Sequence, residues 1–155
     1  MEAGTRTSAL DPTRLMKMSQ AEIGDLFKAS PPGPIPDGEA KGTAIIAPGT
    51  AFSPEIAEFV SFFAWQGKTF DGKRGVLTNR ITPFGLNAIV AEVYIDKSWF
   101  DGKDCIVLDY SKTSLVAHWI RDEIRLVAPN FYLGLVYWDH TRLIDFCLQF
   151  AAPQA

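Results

Sequence analysis

The sequence predicts a mainly β protein: a small antiparallel barrel closed around an apolar interior, with two N-terminal helical segments. Three observations carry this prediction. From residue 68 the apolar pattern changes from helical spacing to two-residue alternation. Turn-forming residues interrupt that alternation about every ten positions, the rhythm of a meander of short strands. Eleven Phe, four Trp and four Tyr supply aromatic bulk for a core or for the lining of a pocket.

Residues 1–14 read as a flexible tail, and residues 15–155 as one domain. Residues 15–29 have helical spacing, with Leu15, Met16, Ile23, Leu26 and Phe27 apolar. Ser19 stands three residues before Glu22, the spacing of a capping box, so the firm part of this helix begins there. The connector 30–38 follows, and its four prolines (Pro31, Pro32, Pro34 and Pro36) forbid helix. A short strand is expected over 43–47, closed by Pro48-Gly49. A second helix is expected over 53–65. Ser53 caps it, Pro54 sits at its first position, and Ile56, Phe59, Val60, Phe63 and Ala64 form an apolar stripe.

Strands then follow over 68–70, 75–81, 87–95, 105–110, 121–127, 131–138 and 142–150. Asp71-Gly-Lys, Pro83-Phe-Gly85, Asp101-Gly-Lys, Pro129-Asn130 and Trp138-Asp-His-Thr141 separate them with turn chemistry. The stretch 114–127 is compatible with either helix or strand. A short helical turn followed by strand suits it best, because Pro129-Asn130 then turns the chain into 131–138. Strands of this number and length close into a barrel whose interior is filled or holds one small ligand.

Composition narrows the function. The formal net charge is −3, and Lys and Arg are scattered, so nucleic acid is not an expected partner. No apolar run is long enough for a transmembrane helix, and the N-terminus lacks the apolar core of a secretory signal. Cys105 and Cys147 lie far apart within apolar runs and read as buried free thiols of a reducing compartment. With His118 and His140 they form no ligand spacing, so a cytoplasmic protein without metal or cofactor is expected.

Gly38-Glu-Ala-Lys-Gly42 has the spacing of the motif that names the GXWXG family of small bacterial domains, and Trp65-Gln-Gly-Lys-Thr-Phe70 resembles the element that follows it there. Leu108-Asp-Tyr-Ser111, Ile120 through Val127, and Tyr132-Leu-Gly134 resemble the companion domain DUF4334. Ala40 stands where the motif has tryptophan, Gln66 where it has tyrosine, and Asp109-Tyr110 reverses the companion's order. The resemblance implies a lipocalin-like (calycin-type) barrel. It carries over no catalytic residue.

No motif for nucleotide binding, metal-dependent hydrolysis or a serine nucleophile is present. What remains is a set of polar residues embedded in apolar strands, where burial is costly unless the group is paired. The commonest outcome is pairing of these carboxylates with Arg80, Arg121 or Arg125. The functional alternative is a carboxylate facing the cavity with a raised pKa, assisted by Tyr or Arg. Asp109, Tyr110, Arg121, Asp122 and Glu123 are the catalytic candidates; Asp109 and Tyr110 point to opposite faces, so at most one of them enters the cavity. Asn79, Arg80, Glu92, Tyr94, Trp119, Tyr132, Trp138 and Phe146 are the ligand-lining candidates.

Three functions fit these residues. The leading one is a barrel that binds a small hydrophobic or aromatic molecule. The second is a cofactor-independent isomerase, cyclase or lyase using a cavity carboxylate with Tyr or Arg. The third is a homodimeric interaction domain.

Overall fold

A computed structural model describes residues 10–45, 54, 67–81, 86–112 and 118–151. Two short helices precede the barrel, α1 (Pro12–Met16) and α2 (Gln20–Ala29). The strands are β1 (Gly38–Ile45), β2 (Gly67–Asp71), β3 (Val76–Ile81), β4 (Leu86–Lys97), β5 (Asp104–Asp109), β6 (Ile120–Ala128), β7 (Phe131–Trp138) and β8 (Thr141–Phe150). Each pairs antiparallel with its neighbour in sequence, and β8 returns to β1, closing an eight-stranded barrel. Among the described strands, closure leaves none at an open sheet edge along its whole length.

The expected mainly β class and small antiparallel barrel are therefore observed. Ser19 caps α2 by accepting from the Glu22 amide, while Glu22 accepts from the Ser19 amide. The stretch expected as one helix from residue 15 is two helices, because Asp11 starts an earlier turn by capping Arg14 N–H. That turn begins at Pro12, within the stretch read as tail, and runs to Met16. The strand expected over 43–47 instead begins at Gly38, since its first half pairs with β2 over Gly38–Lys41. In 114–127 the strand reading holds from Ile120. The expected helix over 53–65, Pro54 apart, and residues 113–117 lie outside the described residues.

Strand alternation builds two cores. The inner one lies inside the barrel and includes Phe70, Leu77, Ile106, Leu108, Ile124, Val136, Phe146 and Leu148. The outer one lies between the helices and the outside of the barrel, where Leu15, Ile23 and Phe27 meet Cys105, Val107, Leu133, Leu135 and Cys147. This second layer explains why β7 is buried along almost its whole length. A strand covered on both faces reads as a continuous apolar run.

The proline-rich connector crosses one end of the barrel. Leu126 N–H donates to the Pro31 carbonyl at 2.9 Å, and the Tyr132 hydroxyl to the Pro34 carbonyl at 2.6 Å. Ile35 packs on the inner core there. Gly33 is required at this crossing. Its φ is +72°, and a Cβ would lie 2.6 Å from Leu126 Cβ.

Candidate functional site

Among the described residues, two charged side chains lie inside the barrel, and the register shows why. Lys68 is paired with Ala40 and Asn79 and lies two residues before Phe70, so it shares the inward face of β2. Asp122 lies between Ile120 and Ile124 on the inward face of β6. In a closed ring of eight, β2 and β6 are four strands apart and form opposite walls. Lys68 is 2% exposed and Asp122 is 0% exposed.

Tyr110 completes the group. It follows β5 directly and belongs to the inner core, and its hydroxyl is 3.5 Å from Asp122 Oδ2, at the long limit of a hydrogen bond. Asp122 Oδ1 is buried without a hydrogen-bond partner. The other such atom among the described residues is Thr69 Oγ1, on the alternate face of β2. Asp122 and Tyr110 lie toward the barrel end away from the connector, since β6 enters from that end and β5 leaves by it, whereas Lys68 pairs with Ala40, two residues into β1.

Burial dominates the electrostatics of this group. It raises the Asp122 pKa, with Lys68 and Tyr110 partly opposing the shift, and lowers that of Lys68. Each charge stabilises the other, but two ions removed from water repay their desolvation only with complete hydrogen bonding. Asp122 does not have it.

Of the catalytic candidates, Asp122 and Tyr110 meet in the lumen, and Asp109, Arg121 and Glu123 do not. Asp109 is on the outer face of β5, where it accepts from the Tyr94 hydroxyl at 2.7 Å and from Ser111 N–H and Oγ. Against desolvation, which pushes it up, these bonds hold Asp109 below the usual carboxylate range. Glu123 is buried on the outer face of β6. It accepts from Ser98 Oγ at 2.6 Å, Trp99 N–H at 2.7 Å and Arg121 Nε at 3.0 Å. Arg121 also donates to the Lys97 carbonyl and lies over the Trp99 ring. Together these bonds dock the β4–β5 loop against the barrel.

Of the lining candidates, Tyr132, Trp138 and Phe146 belong to the inner core. Glu92 and Tyr94 are on the outer face of β4, because Ala91 and Val93 occupy the inner one. Trp119 is 52% exposed and packs against His118. The side chains of Asn79 and Arg80 lie outside the described residues; the backbone register sets Asn79 opposite Lys68.

The expected pairing of carboxylates with arginine is found on the outside, in Arg121–Glu123, Arg125–Asp101 and Arg142–Asp145. Inside, the partner of Asp122 is a lysine that the candidate set omits. Its signal was present in the sequence: if Phe70 points inward, alternation places Lys68 beside it.

No group of three or more His, Cys, Asp or Glu that could hold a metal occurs among the described residues. Burial pushes both cysteine thiols up to about 12, which keeps them protonated. No helix among the described residues is long and apolar enough to cross a membrane.

No family model and no curated protein matches the chain, so GXWXG and DUF4334 stay at the level of motif resemblance. Among solved structures, the chain is similar to a protein from Thermomonospora curvata, with a TM-score of 0.59 and 18% identity over 86% of this chain and 88% of that one. At that identity the likeness is one of fold: both chains build the same kind of barrel.

Proposed function

We propose that the protein binds a small hydrophobic or aromatic molecule inside the barrel, with one polar group of that molecule set against Lys68, Asp122 and Tyr110. The observation that carries this reading is Asp122 Oδ1, buried in an apolar interior without a hydrogen-bond partner. An unsatisfied buried polar atom costs about 1–3 kcal/mol, and more when charged. A barrel serving stability alone would place an aliphatic side chain there. A ligand group donating to Oδ1 supplies the missing bond, while the surrounding aliphatic and aromatic side chains take the rest of the molecule.

The test is native mass spectrometry of the purified chain, together with thermal shifts against a panel of hydrophobic alcohols, phenols and carbonyl compounds. One molecule per chain is expected, with binding weakened at least tenfold by Asp122→Leu. A panel that shifts neither protein counts against the reading.

A second reading places a cofactor-independent isomerase, cyclase or lyase on the same residues. Its support is that burial raises the carboxylate pKa and lowers the ammonium pKa, bringing an acid and a base on opposite walls toward matched strength. Asp122→Asn distinguishes the two, because an enzyme loses turnover of a bound substrate while a binding protein has none to lose.

A further inference from the structure

We infer that Lys68 is a covalent site for a hydrophobic aldehyde or ketone, which it holds as a protonated imine with Asp122 as counterion. The inference rests on the ligand-binding reading above and names the polar group of the ligand as a carbonyl.

The chemistry follows from three placements. The Lys68 amine is enclosed in the lumen, where an apolar carbonyl compound would be held and bulk water kept away. Asp122 occupies the opposite wall, and Tyr110 stands beside it. Exclusion of water matters because imine formation releases water and is reversed by it.

The proton count closes within the pair. The Lys68 ammonium passes a proton to the Asp122 carboxylate, leaving an amine and a carboxylic acid. The nitrogen lone pair adds to the carbonyl carbon, forming the C–N bond, and a proton moves from nitrogen to oxygen to give the carbinolamine. Asp122 then protonates the departing hydroxyl, the C–O bond breaks, and water leaves. An iminium on Lys68 faces a carboxylate on Asp122, so one ion pair replaces another with no redox change. The lowered pKa of Lys68 agrees with this sequence, since it enlarges the amine fraction available near neutral pH.

The iminium also suits its surroundings better than the ammonium. It carries a single N–H and a more dispersed charge, so less hydration is forfeited inside an apolar barrel.

The experiment uses the full chain with trans-cinnamaldehyde and octanal as probes, reduction by sodium borohydride, and peptide mapping by mass spectrometry. Cinnamyl alcohol and octanol, which have no carbonyl group, report noncovalent binding by thermal shift. The expected result is one reduced adduct per chain on Lys68, formed at least tenfold faster than at any other lysine. Asp122→Asn should slow trapping at least tenfold. Mapping the wild-type chain requires no variant to fold, and Lys68→Arg, which keeps the charge, should abolish the adduct. Alcohol binding without labelling of Lys68 overturns the imine and leaves the binding reading in place. Absence of both alcohol binding and labelling overturns the two together.

Discussion

Lys68 and Asp122 face each other across the barrel from β2 and β6, the greatest separation that a closed ring of eight strands allows. Everything else on these two inward faces is apolar among the described side chains. Each single substitution takes the opposite charge away from a buried ion, so Lys68→Met and Asp122→Leu should each destabilise the protein by about 3–5 kcal/mol. Replacing both together should be neutral, or stabilising by about 1–4 kcal/mol, because the desolvation cost disappears with the pair. Urea midpoints of the four proteins form a double-mutant cycle that measures this. A double variant as weak as the sum of the singles would show the pair to be a structural element of the barrel rather than one retained for a ligand.

The second prediction concerns Gly134 on β7 and Phe146 on β8, which are register partners. The Phe146 ring occupies the space over Gly134 so closely that an added Cβ would collide with three of its ring atoms. An aromatic ring on a cross-strand glycine covers backbone that the glycine leaves bare. Gly134→Ala should force the ring off its rotamer at a cost of about 1–3 kcal/mol, a fall in Tm of roughly 2–4 °C per kcal/mol for a chain of this size. Adding Phe146→Leu should recover part of that loss, because the displaced atoms are then gone. A Gly134→Ala melting curve superimposable on wild type would contradict the packing.

The barrel was legible in the sequence because alternation and turn chemistry are local signals. The expected strand 131–138 coincides with β7, and six others fall within two residues of their observed bounds. The site was harder to read. Alternation sorted Asp122 with Ile120 and Ile124, and Asp109 with Cys105 and Val107, but both faces of the wall are buried. Two helices cover one side of the barrel, so apolarity alone does not mark the lumen. Asp109 therefore ranked beside Asp122 although it faces outward. Lys68 went unlisted because a single lysine in a short strand looks like a solvated residue until its neighbours across the ladder are known. Distance around the barrel is set by closure, which no local pattern records.

Arg125 is the third case, and its role is architectural. It lies on the outer face of β6, 1% exposed, and five donations fix it: Asp101 Oδ1 at 2.8 Å, Asp101 Oδ2 at 2.7 Å, and the carbonyls of Phe27, Lys103 and Asp104. Its guanidinium also covers the Phe27 ring. One side chain thus ties the end of α2 and the β4–β5 loop to the barrel. Arg125→Met should cost about 3–5 kcal/mol, because it strands a carboxylate and three carbonyls. Hydrogen exchange should show α2 and residues 98–103 losing protection before β7 and β8. Uniform loss across the barrel would mean that the residue acts on global stability alone.

The same contact predicts the acid limb of stability. Hydrogen bonds from Arg125 hold the Asp101 carboxyl down at about 2, against an ordinary value of 3.8. A carboxylate depressed in the folded state stabilises folding at any pH above its unfolded value, since the unfolded chain binds the proton more readily. That contribution is therefore complete above about pH 4 and is lost as pH falls from about 4 to about 2. Asp101→Asn keeps an acceptor for Arg125 but cannot ionise, so it should be less stable than wild type at pH 5. The gap between their urea midpoints should narrow steadily toward pH 2. A gap that stays constant across this range would locate the variant's cost in geometry rather than in the charge of Asp101. A gap that widens would place the acid-sensitive group elsewhere in the barrel.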